Sequence, residues 1–162
     1  MSTGIDSRLE RALADKPPTL AHAVSATHLL LHSALLLEQR LETALSPLQL
    51  QLREYLALRL LADSVHESVS PTQMSMSLKA TRTQITRLLD SLEAKGLAVR
   101  AADASDRRSL ALSLTPEGSA LLDCAIPLVE QAHVQAWEKL GTADTEAMHT
   151  LLHSLYTNLR KR

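Results

Sequence analysis

The stretch from Asp103 to Gly118, DASDRRSLALSLTPEG, joins a charged loop to an alternating apolar segment and then to a helix start. Leu110, Leu112 and Leu114 alternate with small or polar residues, which is typical of a β-strand with one buried face. A similar alternation covers residues 97–102, on the other side of the loop. The two segments predict an antiparallel hairpin. Because an isolated two-stranded hairpin is marginally stable in water, its leucine face must pack against helices.

The rest of the chain has the composition of a helical protein. Apolar residues make up 45% of its 162 residues but aromatic residues only 2%, so the core must consist of aliphatic side chains, many of which favour helices. The apolar run Leu29–Leu37 is too short to span a bilayer, and the N-terminus lacks the layout of a signal peptide. The single cysteine, Cys124, excludes an internal disulfide and fits a reducing compartment. We therefore expect a cytoplasmic protein without a membrane span.

Helix starts are marked by Ser, Thr and Pro. The segments SPLQ, Ser46–Gln49, and SPTQ, Ser70–Gln73, both have the pattern of a capping box with Pro in the first helical position. Thr19 and Thr115 are further expected N-caps, and Pro127 is expected to kink the helix that contains it. These signals predict helices over residues 6–14, 20–44, 47–63, 71–78, 82–95, 116–140 and 143–160.

Two of these helices, joined by a tight turn, directly precede the hairpin. Thr81 is the expected N-cap of the second helix, and Gly96 is expected to end it. Apolar residues at spacings of three and four predict its inward face: Ile85, Leu88, Leu89 and Leu92. The opposite face carries polar side chains that can form hydrogen bonds: Thr83, Arg87 and Asp90, flanked by Gln84 and Thr86. An ordinary solvated helix face has the same residue types, so this helix alone does not indicate a function.

Residues 79–108 are more basic than the remainder of the chain. They contain seven basic and four acidic residues, a local charge of +3 in a chain whose net charge is −1. A basic segment within an otherwise acidic chain suits a partner that carries phosphates, although a mixed-charge surface is the alternative on charge alone. The basic residues are Lys79, Arg82, Arg87, Lys95, Arg100, Arg107 and Arg108.

Helix, tight turn, helix and hairpin in this order predict a winged helix-turn-helix. In this arrangement the second helix enters the major groove of DNA. The hairpin, or wing, reaches toward the adjacent minor groove, whose negative potential attracts arginine. The expected fold is therefore mainly α with a small β-hairpin wing.

The segment from Ser70 to Gly118 resembles the DNA-binding lobe of the multiple antibiotic resistance regulator (MarR) family. The likeness is most specific in DASDRR, residues 103–108, and in LTPEG, residues 114–118, which look like the family's wing and its strand-to-helix signature. The resemblance implies a homodimeric bacterial transcription regulator, usually a repressor, with a small ligand bound between the dimer helices and the DNA lobe. The organisation it implies is an extension at 1–18, dimerisation helices at 19–45 and 119–162, and a winged helix-turn-helix lobe at 46–118.

Position by position, the resemblance assigns DNA contacts to the second helix and the wing. Arg108 is expected in the minor groove, and Asp106 is expected to orient the wing by ion pairing. Lys79 stands where such sequences often have Gly, and Ser75 where a small apolar residue is usual; a type I turn would accept Lys79. The predicted DNA-binding residues are Thr81, Arg82, Thr83, Gln84, Thr86, Arg87, Asp106, Arg107 and Arg108.

The helix predicted at 20–44 carries more leucine than one core contact requires: Leu29, Leu30, Leu31, Leu35, Leu36 and Leu37. This surplus predicts a two-fold dimer held by the helices at 20–44 and 143–160. The resemblance suggests an aromatic acid or phenol as effector, which a cation or imidazole would suit, although ordinary helix-surface roles explain the same residues. The candidate ligand-binding residues are His28, His32, Arg53, Tyr55 and Arg59.

Other chemistries have weaker support. The pairs His28–His32 and His149–His153 have the i, i+4 spacing of zinc ligands, but no third ligand is adjacent, so we expect no metal or other cofactor. Cys124 lies in an apolar run and is expected to be a buried thiol rather than a redox sensor. No nucleophile elbow, phosphate-binding glycine loop or pair of catalytic carboxylates is found, so the chain is not expected to be an enzyme.

The sequence thus predicts a ligand-responsive transcriptional repressor that binds a pseudo-palindromic DNA operator as a homodimer. The alternative is a helical protein-interaction module that keeps this fold and has lost specific DNA binding.

Overall fold

The computed structural model describes residues 4–64, 69–102 and 110–161. Within these ranges all seven predicted helices and both strands of the hairpin are present, which confirms the expected fold class. The helices are α1 (Gly4–Leu13), α2 (Pro18–Leu45), α3 (Leu52–Asp63), α4 (Pro71–Ser77), α5 (Arg82–Ala94), α6 (Pro116–Trp137) and α7 (Gly141–Arg160), and the strands are β1 (Ala98–Ala102) and β2 (Leu110–Leu114).

The chain divides into two compact units, and the boundary falls inside α2. One unit ends at Arg40 and contains α1 and most of α2. The other begins at Leu41 and contains the end of α2 and every later element.

Leucines of α2 are exposed in the single chain. Leu29, Leu31, Leu35 and Leu36 each leave more than half of their surface accessible to solvent. The continuous helical segment Pro18–Leu48 has 31 residues and contains an 18-residue stretch with a mean hydropathy of 1.4, so by length and composition it is apolar enough to cross a bilayer. The shorter run Leu29–Leu37 did not predict a segment of this length. Helices that pack in soluble proteins pass the same test, so the property by itself is weak evidence for a membrane segment.

The second unit has an aliphatic core. Leu45, Leu58, Met74, Ile85 and Leu92 are almost completely buried. The helix α3 packs against α5, α6 and β2, while α4 and β1 both contact α5. The helix-turn-helix and the hairpin therefore share one core, as expected for a hairpin that cannot be stable alone.

The hairpin packs by its leucine face. Leu112 of β2 is buried opposite Arg100, and Ala98 of β1 is buried as well. Val99 points the other way and is 45% exposed, so the inward residue of β1 is Ala98. On the free side of β2, Leu112 N donates a hydrogen bond of 3.1 Å to the carbonyl of Val69, which forms an isolated antiparallel bridge.

The capping box predicted at Ser46 is wrong. Ser46 begins a short 3₁₀ turn, and its hydroxyl donates backward to the carbonyl of Thr43 at 2.8 Å, near the end of α2. Gln49 has a left-handed φ of 52°, which breaks the helical path. The helix α3 starts afterwards, with Gln51 as N-cap and its N–H donating to the carboxylate of Glu54 at 3.0 Å.

The turn between α4 and α5 explains two unusual residues. The capping box that starts α4 is confirmed, because the Ser70 hydroxyl accepts from Gln73 N and the Gln73 amide oxygen accepts from Ser70 N. Lys79 has a φ of 49°, which places it in the left-handed region that favours glycine and not in a type I turn. The Ser75 hydroxyl donates to the carbonyl of Ala80 at 2.6 Å and secures this turn.

The junction into α6 requires glycine at position 118. Thr115 is the N-cap, as predicted: its hydroxyl accepts from Gly118 N at 2.9 Å and donates to the carbonyl of Gly96 at 2.7 Å. A Cβ on Gly118 would lie 2.0 Å from the carbonyl oxygen of Leu97. The start of α6 is therefore held directly against the segment that joins α5 to β1. Pro127 lies inside α6, which continues through it.

Candidate nucleic-acid interface

The start of α5 is fixed by a reciprocal capping box. Thr81 is the N-cap, as predicted, and its hydroxyl oxygen accepts from Gln84 N at 3.3 Å. The side-chain oxygen of Gln84 accepts from Thr81 N at 2.8 Å and from the Thr81 hydroxyl at 3.1 Å. Two backbone N–H groups that would otherwise be unsatisfied are bonded, which stabilises the first turn of α5.

The two faces of α5 are divided as the sequence predicts. Ile85, Leu89 and Leu92 are buried and Leu88 is half-buried. The polar residues of the opposite face are all exposed: Arg82, Thr83, Gln84, Thr86, Arg87 and Asp90. The helix thus presents a continuous polar surface to solvent.

Arg100 on β1 connects the hairpin to α5. Its guanidinium lies 2.6 Å from Asp90 Oδ1 and 3.2 Å from Glu93 Oε2. Its backbone N–H donates to the carboxylate of Glu93 at 3.2 Å, so Arg100 is bonded to the helix through both main chain and side chain. The hairpin is therefore held at α5 by the charged contacts of β1, while β2 packs against α3, α4 and α6. From the sequence pattern, Arg100 is only one of the basic residues between positions 79 and 108.

These ion pairs determine which charges on α5 remain available. Arg100 compensates the carboxylates of Asp90 and Glu93. Neither Arg82 nor Arg87 forms an ion pair or side-chain hydrogen bond with another described residue. The two guanidinium groups are thus the available cations on the exposed face of α5, and they can approach an anionic partner without first breaking a contact to this part of the chain.

A buried carboxylate fixes the other end of α5. Glu54 is 1% exposed, and it accepts hydrogen bonds from Lys95 Nζ at 2.7 Å and from Ser91 Oγ at 2.7 Å. Lys95 Nζ also donates to the carbonyl of Gln49 at 2.9 Å. Burial raises the pKa of Glu54, but the hydrogen bonds from Gln51 N, Lys95 and Ser91 and the positive charge of Lys95 together outweigh that effect. The pKa of Glu54 is therefore lower than that of an ordinary glutamate. Glu54 is therefore ionised near neutral pH and anchors α5 to α3.

The predicted wing tip lies outside the described residues. Asp106, Arg107 and Arg108 belong to the segment 103–109, and their assignment to DNA contacts stays a prediction from the sequence. The two strands that carry this segment, β1 and β2, are described and have the expected antiparallel pairing.

The predicted ligand-binding residues belong to the two separate units. His28 and His32 lie on α2, and their rings are 4.3 Å apart between centroids. On α3, Arg53 is exposed, Tyr55 is buried, and Arg59 lies 3.9 Å from Asp63 in a partly exposed ion pair. Burial raises the pKa of Tyr55, so the phenol stays protonated.

The histidine pairs and Cys124 lie outside the candidate interface. Among the described residues, no group of three or more His, Cys, Asp or Glu side chains could hold a metal ion. Neither histidine pair therefore has a third ligand within this part of the chain. Cys124 is exposed, so the expectation of a buried thiol is wrong. The inward face of α6 is formed by Leu122, Ala125 and Val129, and Cys124 lies outside that stripe.

A capped helix-turn-helix followed by a hairpin defines the class of this structure as a winged helix-turn-helix. Within that class, the sequence model of the MarR family matches residues 48–109. This match confirms the resemblance of the lobe to the MarR family, whose members are transcriptional regulators and not enzymes.

Relatives of known description agree with this assignment. The chain is 30% identical over 105 residues to the transcriptional repressor MprA of Escherichia coli; the match covers 65% of this chain and 60% of MprA. It therefore spans less than two thirds of that relative. The crystal structure of the Mycobacterium tuberculosis MarR family protein Rv2887 in complex with salicylic acid is 29% identical, with a TM-score of 0.65, over 88% of this chain and 99% of that chain.

A DNA-bound structure has the same fold. The complex of a mutant MarR from Escherichia coli with operator DNA superimposes with a TM-score of 0.76 over 83% of this chain and 95% of that chain. Its identity is 21%, so this likeness concerns the fold alone.

Proposed function

We propose that this protein is a transcriptional repressor that binds a specific DNA site through α5. The observation that carries the proposal is the exposed face of α5, where Arg82 and Arg87 project from a capped helix and have no ion pair to another described residue. Guanidinium groups donate hydrogen bonds to guanine edges and to phosphates, and a helix of this size fits the major groove. The family relatives described as repressors support the same function.

The wing extends the contact in this proposal. Because Arg100 of β1 attaches the hairpin to α5, docking the helix in the major groove would bring the hairpin toward the neighbouring minor groove. Arg108 at the tip would then enter that groove, with Asp106 orienting it. The lobe proposed to bind DNA covers residues 46–118.

The protein acts as a homodimer in this proposal. The exposed leucines of α2 are one apolar surface, and α7 carries a second, with Leu151, Leu155 and Leu159 exposed. Surfaces of this kind are rarely left open to water, and a second copy of the chain would cover them. Two copies related by a two-fold axis present two α5 helices, which suits a pseudo-palindromic operator with half-sites about 10 base pairs apart. Burial of the apolar segment Pro18–Leu48 against a second copy of the chain would explain its presence in a cytoplasmic protein.

The effector in this proposal is a small aromatic acid or phenol. The complex of Rv2887 with salicylic acid supports this class of ligand. Arg53 and Arg59 on α3 would supply a cation for the carboxylate, and Tyr55, His28 and His32 are the other candidate contacts. Such a ligand would release DNA only by binding the DNA-incompetent arrangement more tightly than the competent one.

The proposed function is tested by selecting duplexes from a random pool with the full-length protein and measuring the salt dependence of binding. We expect enrichment of a two-fold symmetric sequence and nanomolar binding that weakens steeply as salt rises, because phosphate contacts release counterions. Weak binding that is equal for selected and scrambled duplexes would contradict the proposal and would favour a protein-interaction module of the same fold.

A further inference from the structure

We propose that Gln84 contacts the bases as a hydrogen-bond donor only and selects guanine at one position of each half-site. This inference rests on the proposed function, because it requires α5 to lie in the major groove. It goes beyond that function by assigning the hydrogen-bonding polarity of one side chain, and hence a base, from contacts within the protein.

The capping box uses the whole acceptor capacity of the Gln84 side chain. Its amide oxygen accepts from Thr81 N at 2.8 Å and from the Thr81 hydroxyl at 3.1 Å, which occupies both lone pairs. The orientation of the amide is not ambiguous, since a backbone N–H is a donor and must face oxygen. The amide nitrogen is therefore on the other side, where it forms no hydrogen bond with another described residue and the side chain is exposed.

A glutamine bound in this way differs from the usual glutamine at a base pair. Glutamine normally selects adenine by a bidentate contact, in which its oxygen accepts from N6 and its nitrogen donates to N7. Gln84 would have to break two capping hydrogen bonds to offer that oxygen. Its readily available groups are the two hydrogens of the amide nitrogen.

A donor without an acceptor discriminates among the four base edges. Guanine shows two acceptors, N7 and O6, and no donor in the major groove. Thymine shows one acceptor, and cytosine shows only an amino group. Adenine shows an acceptor next to an amino group, for which Gln84 has no free acceptor. The expected order of preference is guanine first and cytosine last. The nearby guanidinium groups of Arg82 and Arg87 are also donors, so this part of α5 favours guanine-rich edges.

The substitution that tests this inference is Gln84→Glu. Glutamate at this position keeps the side-chain oxygen that accepts from Thr81 N, because glutamate is a normal capping-box residue, but it has no hydrogen to donate. Gln73→Glu is the matched control, since Gln73 makes the same capping bond one helix earlier, to Ser70 N at 2.7 Å, and has not been assigned a DNA contact. Both variants gain one negative charge in the first turn of a helix.

The measurement is selection from duplexes with randomised half-sites, followed by titration with base analogues. Wild-type protein should prefer guanine at the position that Gln84→Glu changes, and the variant should shift that position toward cytosine, whose amino group donates to carboxylate. Gln73→Glu should leave the preferred base unchanged at every position. With wild-type protein, replacing that guanine by 7-deazaguanine or 6-thioguanine, which remove or weaken N7 and O6 separately, should weaken binding about three- to tenfold for at least one analogue.

Three results would overturn the inference. One is a preference of the wild-type protein for adenine at the position that responds to Gln84→Glu, because this preference would show that the amide oxygen of Gln84 is free to accept a hydrogen bond. Another is an identical effect of Gln84→Glu and Gln73→Glu on base preference. The third is wild-type binding that neither guanine analogue weakens, which tests the inference without any substitution. Failure of the proposed function would be recognised separately, because wild-type protein would then select no sequence at all.

Discussion

Replacing Lys95 by methionine should destabilise the protein more than replacing its partner Glu54 by glutamine. Glu54 is 1% exposed and cannot reach water, whereas the Lys95 side chain is 37% exposed and can. Breaking a fully buried ion pair costs about 3 to 5 kcal/mol, and the exposure of Lys95 reduces this to about 2 kcal/mol for Lys95→Met. Glu54→Gln keeps a side-chain acceptor for Gln51 N and leaves a lysine that can be hydrated, so it should cost about 1 kcal/mol.

The cost of Lys95→Met should also depend on pH. In the wild-type protein the pKa of Glu54 is lowered on folding, so its contribution to stability is present above about pH 4.5 and is lost as pH falls through the lower folded-state pKa. In Lys95→Met the carboxylate keeps its burial but loses the lysine, which raises its pKa relative to the wild type. Glu54 then takes up a proton at a higher pH in the variant, and the difference in stability narrows on acidification.

Urea unfolding at one fixed protein concentration, at pH 7 and at pH 4, measures both effects. The double variant Glu54→Gln/Lys95→Met provides the control, and it should cost less than the sum of the two single variants because the groups are in contact. A smaller loss for Lys95→Met than for Glu54→Gln, or a loss that does not change between the two pH values, would refute the reasoning.

Three further predictions concern the fold, the assembly and the effector. Gly118→Ala should lower the free energy of unfolding by about 1 to 3 kcal/mol, because the added Cβ would overlap the Leu97 carbonyl. Ser119→Ala, on the exposed side of the same helix, should be almost neutral. Equal unfolding midpoints for the two variants would contradict this prediction. Sedimentation at micromolar concentration should give the mass of a dimer, and a monomeric mass would exclude the proposed interface of α2 and α7. Salicylate should release DNA from the wild-type protein but not from a variant lacking both Arg53 and Arg59, and release that survives both substitutions would exclude the proposed site.

The order of elements was predictable from the sequence because the signals that set it are local. Ser70, Thr81 and Thr115 precede Pro or a capping residue at fixed spacing, and each caps the helix that was predicted to follow it. The alternating leucines of β2 likewise predicted which of its faces would be buried. These interactions join residues close together in the chain, so a single sequence contains them.

The errors come from choices that depend on neighbouring elements. Ser46 has the same local pattern as Ser70, but its hydroxyl bonds back to α2 and the helix starts later, at a box made by Glu54. Glu54 itself was missed, because its partners Ser91 and Lys95 are 37 and 41 residues away in the chain. The left-handed conformation of Lys79 was missed for a similar reason, since it depends on the end of α4 and on Ser75.

The candidate interface was only partly predictable. The periodicity of α5 correctly placed Arg87 and Thr83 on its exposed face. It could not show that Asp90 is bonded to Arg100, which changes the charge of that face, or that Gln84 is engaged by Thr81. Both depend on side-chain hydrogen bonds that a pattern of residue types does not determine.

The most direct test of sequence-specific binding through α5 compares Arg87→Ala and Arg108→Ala with wild-type protein in selections over randomised half-sites and flanks. Arg87→Ala should cost about 1 to 3 kcal/mol in binding and should relax the preference at one base position per half-site. Arg108→Ala should weaken binding mainly to sites with narrow, A·T-rich flanks, and the preferred half-site bases should persist. If Arg108→Ala changed the half-site bases while Arg87→Ala changed only the flanks, the proposed docking of α5 in the major groove would be wrong.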